Sequence, residues 1–374
     1  MKVLHLINTL SAGGAELHLL TLCRHLKRQG VEIVVACLKE QVRGSRSLRP
    51  EFENEGIHVI HLGANSRWDW RFLGRVIRVI RDERPDILHT HLPRADLAGA
   101  VARVLYSSMR WVYSVHGIYS AHWSGKRILP LFNLVWRRAD GCVAISQAVK
   151  DWLVNVRNVH AEGVTVIHYG IDTELFIRPD FNLRQLLGLD RRPLLGSMGR
   201  LDPVKGHEYL IRAMPVVLRE VPNASLLIAG HDASGYGKVL QAMIDEQRLN
   251  GHVQLVGFQS DVPSFLHALD VFALASRSEG FGQVVIEAMA AGRPVVASRF
   301  PPFTEIVVDG VTGLLVEPDN AEAFAHAIFW LLAHPEERWQ MGSSGQNRAR
   351  EQFSADRMAD ETLSLYETLV PRGG

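Results

Sequence analysis

With 374 residues, of which 47% are hydrophobic and 22% charged, the chain has an ordinary globular composition and exceeds the length that one hydrophobic core usually supports. Two domains are therefore expected, and no stretch approaches the ~20 apolar residues that a membrane-spanning helix needs. The net charge is only +1, but residues 1 to 180 hold 24 Lys and Arg against 17 Asp and Glu, which leaves 17 against 23 for the remainder.

Strand-like apolar runs alternate with amphipathic stretches from the first residue onward, which indicates repeated βαβ units and a parallel sheet. The opening run, residues 1–10, favours a buried strand over a signal peptide. The predicted strands of this first part are Val3–Ile7, Glu32–Leu38, His58–Leu62, Asp86–His91, Arg110–Val115, Gly141–Ile145 and Val164–Ile167, and the predicted helices are Ala15–Arg28, Phe72–Asp82 and Ala95–Leu105.

The same alternation restarts after a polar, proline-containing stretch that ends at Pro193 and is expected to act as a hinge. The predicted strands of the second part are Leu194–Met198, Ser225–Ala229, His252–Val256, Val271–Ala275 and Pro294–Ala297. The fold class is therefore α/β, with two Rossmann-like, doubly wound domains at residues 1–172 and 173–353. Residues 354–374 should add a terminal helix, Ser354–Leu369, and a tail that pack back toward the amino-terminal domain.

Ligands of open parallel sheets bind beyond the carboxyl ends of the strands, so the loops that follow strands are candidate sites. The loop Ser11–Glu16 opens a helix, and Gly13 and Gly14 would let the backbone approach an anion near the helix dipole. A tight turn that needs glycine is the alternative. The segment does not match GxGxxG, which argues against a nicotinamide-dependent dehydrogenase.

A second loop, Gly199–Gly206, follows the first strand of the second domain. Arg200 and Lys205 lie between its glycines, where a guanidinium fork and a point cation could converge on one diphosphate. The alternative is that both cations are solvated at the surface.

The third loop, Ser278–Glu287, leads into a predicted helix from Gly282 to Ala291. Its glycines leave the first N–H groups of that helix accessible to phosphate oxygens. Glu279 lies just before the start of that helix and Glu287 lies one to two turns inside it, so that one carboxylate could bind sugar hydroxyls and the other the ribose. Alternatively, Glu287 is an exposed helix residue and Glu279 complements the dipole.

Taken together and in this order, these segments resemble the retaining group 1 glycosyltransferases, family 4, whose GT-B fold has two Rossmann-like domains that face each other across a cleft. The resemblance spans nearly the whole chain and is far more specific than any single motif. Its motifs are Gly13-Gly14, His116-Gly117, Gly199-Arg200, Lys205-Gly206, Glu279-Gly-Phe-Gly282, Glu287, Ala144–Ser146, Tyr169–Asp172 and Asp309–Leu315.

The resemblance implies that the first domain binds the acceptor and the second binds a nucleotide diphosphate-sugar. It implies that Gly13 and Gly14 back the diphosphate from the first domain, that Arg200 and Lys205 bind it from the other side, and that Glu287 holds the ribose. No cofactor is implied.

For the sugar itself, the resemblance implies that Glu279 contacts the hydroxyls beside the backbone of Gly280, Phe281 and Gly282, while His116 lies over the transferred sugar. A purely structural role for His116 is the alternative. The predicted catalytic residues are His116, Arg200, Lys205 and Glu279.

Retention without a dedicated nucleophilic carboxylate favours a front-face reaction, in which the leaving β-phosphate takes the proton of the acceptor. Asp-x-Asp does not occur in the sequence, so we expect no metal. His89 and His91 share a strand face at a spacing that can bind metal, but no third ligand is evident from the sequence. Both histidines are therefore interpreted as lining the cleft, with His91 near the acceptor.

The segment Phe300–Glu305 departs from the family pattern, because Pro301 and Pro302 stand where members often have two glycines. This replacement should stiffen the loop, either at the mouth of the acceptor site or only in a surface turn, and the segment should not touch the donor-binding residues.

The donor is expected to be a UDP-hexose, with GDP-mannose as the other possibility, and its base should meet residues 257–261. The acceptor is expected to be a saccharide or a lipid-linked saccharide, in cell-surface polysaccharide assembly. Aromatic and basic residues after His116 could meet such a lipid at a membrane surface, or pack as an amphipathic helix: Tyr119, Trp123, Lys126, Arg127 and Trp136.

The basic first half favours peripheral contact with an anionic membrane, although its arginines at helical spacing could equally be solvated: Arg71, Arg75, Arg78 and Arg81. Three cysteines without Cys-x-x-Cys spacing favour buried thiols in the cytoplasm, and no nucleic-acid partner is expected. Two other functions stay open, a sugar-nucleotide 2-epimerase and a catalytically silent sugar-nucleotide-binding partner subunit.

Overall fold

The computed structural model describes residues 1–40, 46–64, 69–118, 135–177, 183–189 and 192–370. The chain divides into two compact units. The first unit comprises Met1–Gly170 and the chain from Ala355 onward, and the second comprises Ile171–Ser354. The chain thus passes between units after Gly170 and after Ser354, near the boundaries predicted at residues 172 and 353.

The first unit is built on a seven-stranded sheet whose neighbouring strands are all parallel. Its elements are β1 (Lys2–Ile7), α1 (Gly14–Arg28), β2 (Glu32–Cys37), α2 (Arg49–Asn54), β3 (His58–His61), α3 (Phe72–Glu83), β4 (Ile87–His91), α4 (Pro93–Leu105), β5 (Arg110–Val115), β6 (Gly141–Ala144), α5 (Gln147–Asn155) and β7 (Val164–Val166). The strand order is β3-β2-β1-β4-β5-β6-β7.

The second unit repeats this design with six parallel strands. Its elements are α6 (Leu183–Leu186), β8 (Leu194–Met198), α7 (His207–Glu220), β9 (Ser225–Ala229), α8 (Gly237–Glu246), β10 (Val253–Gly257), α9 (Val262–Ala268), β11 (Val271–Leu274), α10 (Gln283–Ala290), β12 (Val295–Ser298), α11 (Phe303–Ile306), β13 (Gly313–Val316), α12 (Ala321–Ala333) and α13 (Pro335–Gln352). The strand order is β10-β9-β8-β11-β12-β13.

Short 3-10 helices occur at Ala161–Gly163, Thr173–Phe176 and Pro203–Lys205. The last helix, α14 (Ala355–Leu369), belongs to the first unit and packs against α1. Tyr366 of α14 is fully buried, and Asp356 pairs with His25 of α1 at 2.7 Å.

Continuous apolar runs form the central strands because helices cover both faces of a parallel sheet. In β1, for example, Val3 and Leu6 are completely buried. Helix α1 presents Leu19, Cys23 and Leu26 to the core at helical spacing, and all three are fully buried.

The two parallel α/β sheets predicted from the alternation of strands and helices are confirmed. The predicted strands that pair in them agree with the observed ones to within one residue at each end. For the second unit, the sequence analysis gave no bounds for β13 or for any helix except α10.

In both sheets the strand order reverses beside the first strand of the unit, between β1 and β4 and between β8 and β11. At such a switch point the loops leaving two adjacent strands diverge to opposite faces and open a crevice at the carboxyl edge. The loops after β8 and β11 carry the second and third predicted motifs, so the topology accounts for their meeting.

Candidate functional site

An ion pair joins the second and third motifs within the second unit. Lys205 Nζ lies 2.5 Å from Glu279 Oε1, and Ser276 Oγ donates a hydrogen bond to the same oxygen at 2.9 Å. The two charged side chains are only 17% and 11% exposed. Because both side chains are largely withdrawn from water, each charged group needs a polar partner. A diphosphate could replace Glu279 as the partner of Lys205, and sugar hydroxyls could replace Lys205 as the partner of Glu279.

Arg200 has a different environment, because its side chain is 69% exposed and pairs with Asp202 at 3.2 Å. Its backbone is held more firmly than its side chain, since His207 Nε2 donates to the Arg200 carbonyl oxygen at 3.2 Å. Ser197 Oγ lies 3.3 Å from His207 Nδ1. Burial lowers the pKa of His207 to about 4, so the imidazole is neutral and can fix this loop as a single donor and acceptor.

The sequence did not single out His207, although it directly follows Lys205-Gly206 and begins helix α7. It also missed Ser276. Neither residue is itself part of a predicted motif, so only the three-dimensional structure shows its contacts with the site.

Helix α10 begins after Gly282, whose φ of +93° lies in the left-handed region. A Cβ atom at this position would lie 2.4 Å from the ring of Phe303. The expectation that the segment Phe300–Glu305 does not touch the donor-binding residues is therefore wrong. Phe303 is fully buried, and its ring packs against the backbone at the start of α10.

Glu287 lies within α10, where Gln283 Nε2 donates to its Oε1 at 2.8 Å. Burial raises the pKa of the Glu287 carboxyl, and the hydrogen bond from Gln283 opposes that shift. The side chain of Phe281, by contrast, is buried, and its ring packs edge-on against the ring of Phe353. Its backbone, not its ring, is the part that the resemblance assigned to the sugar.

A cavity of about 540 Å³ lies in the second unit at the carboxyl ends of its strands. It includes Gly257 and Phe258, within the stretch 257–261 that we expect to meet the base. Phe258 is 69% exposed, so its ring is available for stacking. The other lining residues are Leu201, Gly230, His231, Asp232, Gly237, Lys238, Gln241 and Leu255.

In the first unit, the glycine loop after β1 leads directly into α1. Gly13 is extended, with φ −154°, and a Cβ atom added to Gly14 would meet nothing within 4 Å. The Glu16 carboxylate folds back to this helix start, with Oε1 accepting from Thr9 and Oε2 2.8 Å from where a Gly13 Cβ would lie. Neither glycine is required by its φ, and the space beside Gly14 is open.

His116 follows β5, and both of its ring nitrogens have partners. Nε2 lies 3.0 Å from His91 Nδ1, and Nδ1 lies 2.6 Å from Tyr169 Oη. Burial lowers the pKa of His116 to about 3, so the ring is neutral at physiological pH and cannot serve there as a general acid. His18 of α1 stacks on Tyr169 and meets His116 edge-on, which links His116 to the helix that Gly14 begins.

His89 and His91 are fully buried in β4, not exposed at a surface. The structure adds the third nitrogen that the sequence lacked, because His5 of β1 brings one ring nitrogen of each of the three histidines within 4.8 Å of the other two.

Of the aromatic and basic residues proposed to meet a lipid, Trp136 is only 2% exposed. It stacks on Tyr113 and donates to Asp96 at 3.1 Å, which makes it a packing residue. The others, Tyr119, Trp123, Lys126 and Arg127, lie outside the described residues. Across the part of the chain that is described, we find no helix with the length and hydrophobicity needed to cross a membrane.

Comparison with protein families gives two matches that together span most of the chain. Residues 12–175 match the model described as Glycosyltransferase Family 4, and residues 180–348 match Glycosyl transferases group 1.

Among curated proteins, the chain is 34% identical over 269 residues to the GDP-mannose-dependent alpha-(1-6)-phosphatidylinositol monomannoside mannosyltransferase of Mycolicibacterium smegmatis, which covers 68% of each chain. It is 27% identical over 338 residues to the capsular polysaccharide biosynthesis glycosyltransferase CapM of Staphylococcus aureus, covering 86% of this chain and 87% of that one.

Among solved structures, HepE of Anabaena in complex with UDP and glucose superposes with a TM-score of 0.88 and 25% identity. The match covers 98% of this chain and all of HepE.

Proposed function

This chain belongs to family 4 of the group 1 glycosyltransferases, with the GT-B fold, and we propose that it transfers a hexose from a nucleotide diphosphate-sugar with retention of configuration and without metal. The observation that carries this proposal is the Lys205–Glu279 pair at the carboxyl edge of the second sheet, near the start of α10. The pair offers a cation for phosphate and a carboxylate for sugar hydroxyls within one contact.

The donor diphosphate would lie against Lys205 and Arg200, with the N–H groups at the start of α10 supplying further positive potential. Glu287 would hold the ribose, and the cavity beside Phe258 would take the base. Gly13 and Gly14 would admit the diphosphate from the side of the first unit, because no side chain occupies the space beside Gly14.

In the reaction that we propose, the bond between the anomeric carbon and the β-phosphate oxygen breaks, and its electron pair stays with phosphate. The acceptor hydroxyl attacks the oxocarbenium-like carbon from the same face, and its proton passes to the departing phosphate oxygen. Lys205 and Arg200 would stabilise the charge that develops on that phosphate, which is a contribution stronger in the transition state than in the bound donor.

We propose a UDP-hexose as the donor and a saccharide or lipid-linked saccharide as the acceptor, in the assembly of a cell-surface polysaccharide. HepE binds UDP and glucose, and CapM acts in capsular polysaccharide biosynthesis, which supports this choice. GDP-mannose is the second candidate donor, because the mycobacterial relative uses it.

We further propose that the enzyme works in the cytoplasm at an anionic membrane surface. Arg78, Arg81 and Arg84 are exposed along and just after helix α3. Sedimentation with vesicles that contain anionic lipid should exceed that with neutral vesicles and should fall as salt rises. Equal sedimentation with both lipids would contradict the proposed membrane contact.

Two experiments test the proposed reaction. Thermal stabilisation by UDP-hexoses and GDP-mannose identifies the donor, since a ligand that binds only the folded state raises the melting temperature. Proton NMR of the reaction with saccharide and lipid-linked acceptors then shows whether product forms and with which anomeric configuration.

We expect stabilisation by one donor and a product that keeps the donor's configuration. Conversion of the nucleotide-sugar to an epimer without any acceptor would instead identify a 2-epimerase. Stabilisation without turnover of any acceptor would indicate a silent partner subunit.

A further inference from the structure

Four side chains in the first unit form one continuous line of hydrogen bonds. His5 Nδ1 lies 3.0 Å from His91 Nε2, and His91 Nδ1 lies 3.0 Å from His116 Nε2. His116 Nδ1 then lies 2.6 Å from Tyr169 Oη. The line starts inside the sheet at β1, crosses β4 and ends at Tyr169, the last residue but one before the chain enters the second unit.

Burial keeps all three rings neutral. It lowers the pKa of His5 and of His116 to about 3 and also lowers the pKa of His91. A neutral imidazole has one N–H donor and one lone-pair acceptor, so a ring that accepts a hydrogen bond at one nitrogen must donate from the other. The protons of the three rings must therefore all point toward Tyr169 or all point toward His5.

The inner end of the line favours one of these two directions. His5 Nε2 is buried and has no hydrogen-bond partner among the described residues. Protons directed inward would leave an N–H there without an acceptor, whereas protons directed outward would leave a bare lone pair. Buried N–H groups without acceptors are the rarer of the two in proteins. Each ring should therefore carry its proton on Nδ1.

A metal ion is the alternative explanation for the rings of His5, His89 and His91. Zinc needs three in-plane lone pairs that converge on one centre about 2.0–2.1 Å away. The rings of His89 and His91 instead stack with centroids 4.3 Å apart and planes 28° apart, so their lone pairs run side by side. Both nitrogens of His89 are also engaged, Nδ1 with Tyr366 at 2.5 Å and Nε2 with Ser114 at 2.7 Å.

We propose that His91 and His5 are positioning residues for His116, which they hold as the neutral Nδ1–H tautomer through one directed line of hydrogen bonds that ends at Tyr169. The consequence for catalysis rests on the proposed function, because only that function places His116 beside the transferred sugar. A neutral ring in a fixed orientation can approach an oxocarbenium-like centre, whereas an imidazolium would repel it. The hydrogen-bond line itself stands without any assumption about the reaction.

Two buried tyrosines provide a matched pair of variants. Tyr169 bonds to His116 at the end of the line, and Tyr366 bonds to His89, which stacks on His91 but lies outside the line. Tyr169→Phe and Tyr366→Phe each remove one hydroxyl and keep the ring. Both changes are small enough for the fold to survive, since Tyr169 also keeps its stacking on His18.

The test is the tautomer of each histidine, measured by two-bond ¹⁵N–¹H correlation spectra of protein labelled with ¹⁵N-histidine, with and without chelator. In the wild type we expect His5, His91 and His116 to be protonated on Nδ1, and we expect chelator to change nothing. Tyr169→Phe should move the tautomer populations of all three rings together. Tyr366→Phe should change His89 alone.

The proposal is overturned if His116 is protonated on Nε2, if Tyr169→Phe changes His116 without His91 and His5, or if chelator shifts the signals of His5, His89 and His91. Steady-state kinetics supply a separate measurement. Tyr169→Phe should lower kcat about three- to tenfold with donor KM within twofold, and Tyr366→Phe should leave both within twofold. An absence of transferase activity in the wild type would refute the proposed function and leave the spectroscopic result standing.

Discussion

Helices α1 and α10 both begin at glycines at the carboxyl edge of a parallel sheet, yet the two starts are built differently. In the second unit the protein itself requires Gly282, since its φ is +93° and Phe303 fills the space where a Cβ would lie. In the first unit Gly13 is extended, and an added Cβ at Gly14 would meet nothing. The open space beside Gly14 would leave room for the donor diphosphate in the proposed function.

The two units also differ in how they hold polar groups. The second unit presents a charged pair, Lys205 and Glu279, together with the exposed cation of Arg200. The first unit presents neutral rings, with His116 held between His91 and Tyr169. In the proposed function the second unit would bind the phosphate charge, and the first unit would supply shape and orientation.

The largest predicted effect tests the charged pair. Glu279→Ala and Lys205→Ala should each lower kcat about 10²- to 10³-fold, because in the proposed reaction each removes a group that contacts the sugar or the developing phosphate charge. Steady-state kinetics with the identified donor measure this loss. Arg219→Ala removes an exposed cation from the far end of α7 and is the matched control. Near-normal turnover in both site variants would remove the basis of the assignment.

A smaller loss is expected from Gly14→Ala. The added methyl group enters open space, so the free energy of unfolding should stay level or rise by at most about 1 kcal/mol. It would stand in the path of the diphosphate, however, and we expect kcat/KM for the donor to fall about 10- to 100-fold. Denaturant unfolding and donor kinetics on the same sample measure both quantities. Unchanged donor kinetics would show that the space beside Gly14 is empty for another reason.

Gly282→Ala should show the opposite pattern, with a loss of stability. Left-handed backbone costs about 1–2 kcal/mol for a residue with a Cβ, and crowding against Phe303 adds about 1–3 kcal/mol. The midpoint of urea unfolding should therefore fall. If Phe303→Leu, which gives the methyl group room, does not recover part of that loss, the packing explanation is wrong.

The last prediction concerns how the stability of the first unit depends on pH. Asp96 of α4 is buried, and burial raises the pKa of its carboxyl from 3.8 to about 7, while hydrogen bonds from Thr90 and Trp136 oppose the shift. Because the pKa of the Asp96 carboxyl is higher in the folded chain than in the unfolded chain, the contribution of this group to the free energy of unfolding is complete below about pH 3.8. That contribution is lost as the pH rises toward 7.

We therefore expect the free energy of unfolding of the first unit to be lower at pH 7.5 than at pH 5. It should fall by at most about 1.4 kcal/mol for each pH unit up to about pH 7. Hydrogen exchange in strands β4 and β5 would detect the change. Asp96→Asn, which cannot ionise, should flatten the dependence, and a profile unaltered by this substitution would assign the effect to other groups.

Much of the fold could be predicted because the strands are long apolar runs between recognisable turns. β5, β8 and β9 were predicted to the residue. β13 was not, since its four residues form an edge strand that begins with glycine inside a turn-like motif. Local sequence signals could not separate such a strand from a loop.

The candidate site was predictable where a short motif combines charged residues with glycines, as at Arg200, Lys205 and Glu279. The contacts of His207, Ser276 and Phe303 were not predictable, because each depends on loops brought together by the order of the strands. The sequence indicated only part of the line of hydrogen bonds from His5 to Tyr169. His89 and His91 share one strand, but their partner His5 is 84 positions from His89 in sequence and becomes its neighbour only through the pairing of β1 with β4.

Calorimetric titration of UDP in the presence of EDTA, into the wild type and into Lys205→Ala, tests the central claim most directly. If the second unit binds the diphosphate through side chains and a helix start, UDP should bind the wild type as tightly with EDTA as without it. Lys205→Ala should weaken that binding at least tenfold, the loss of about 1.5–3 kcal/mol expected for a charged hydrogen bond. Binding that EDTA abolishes, or that Lys205→Ala leaves unchanged, would contradict the account.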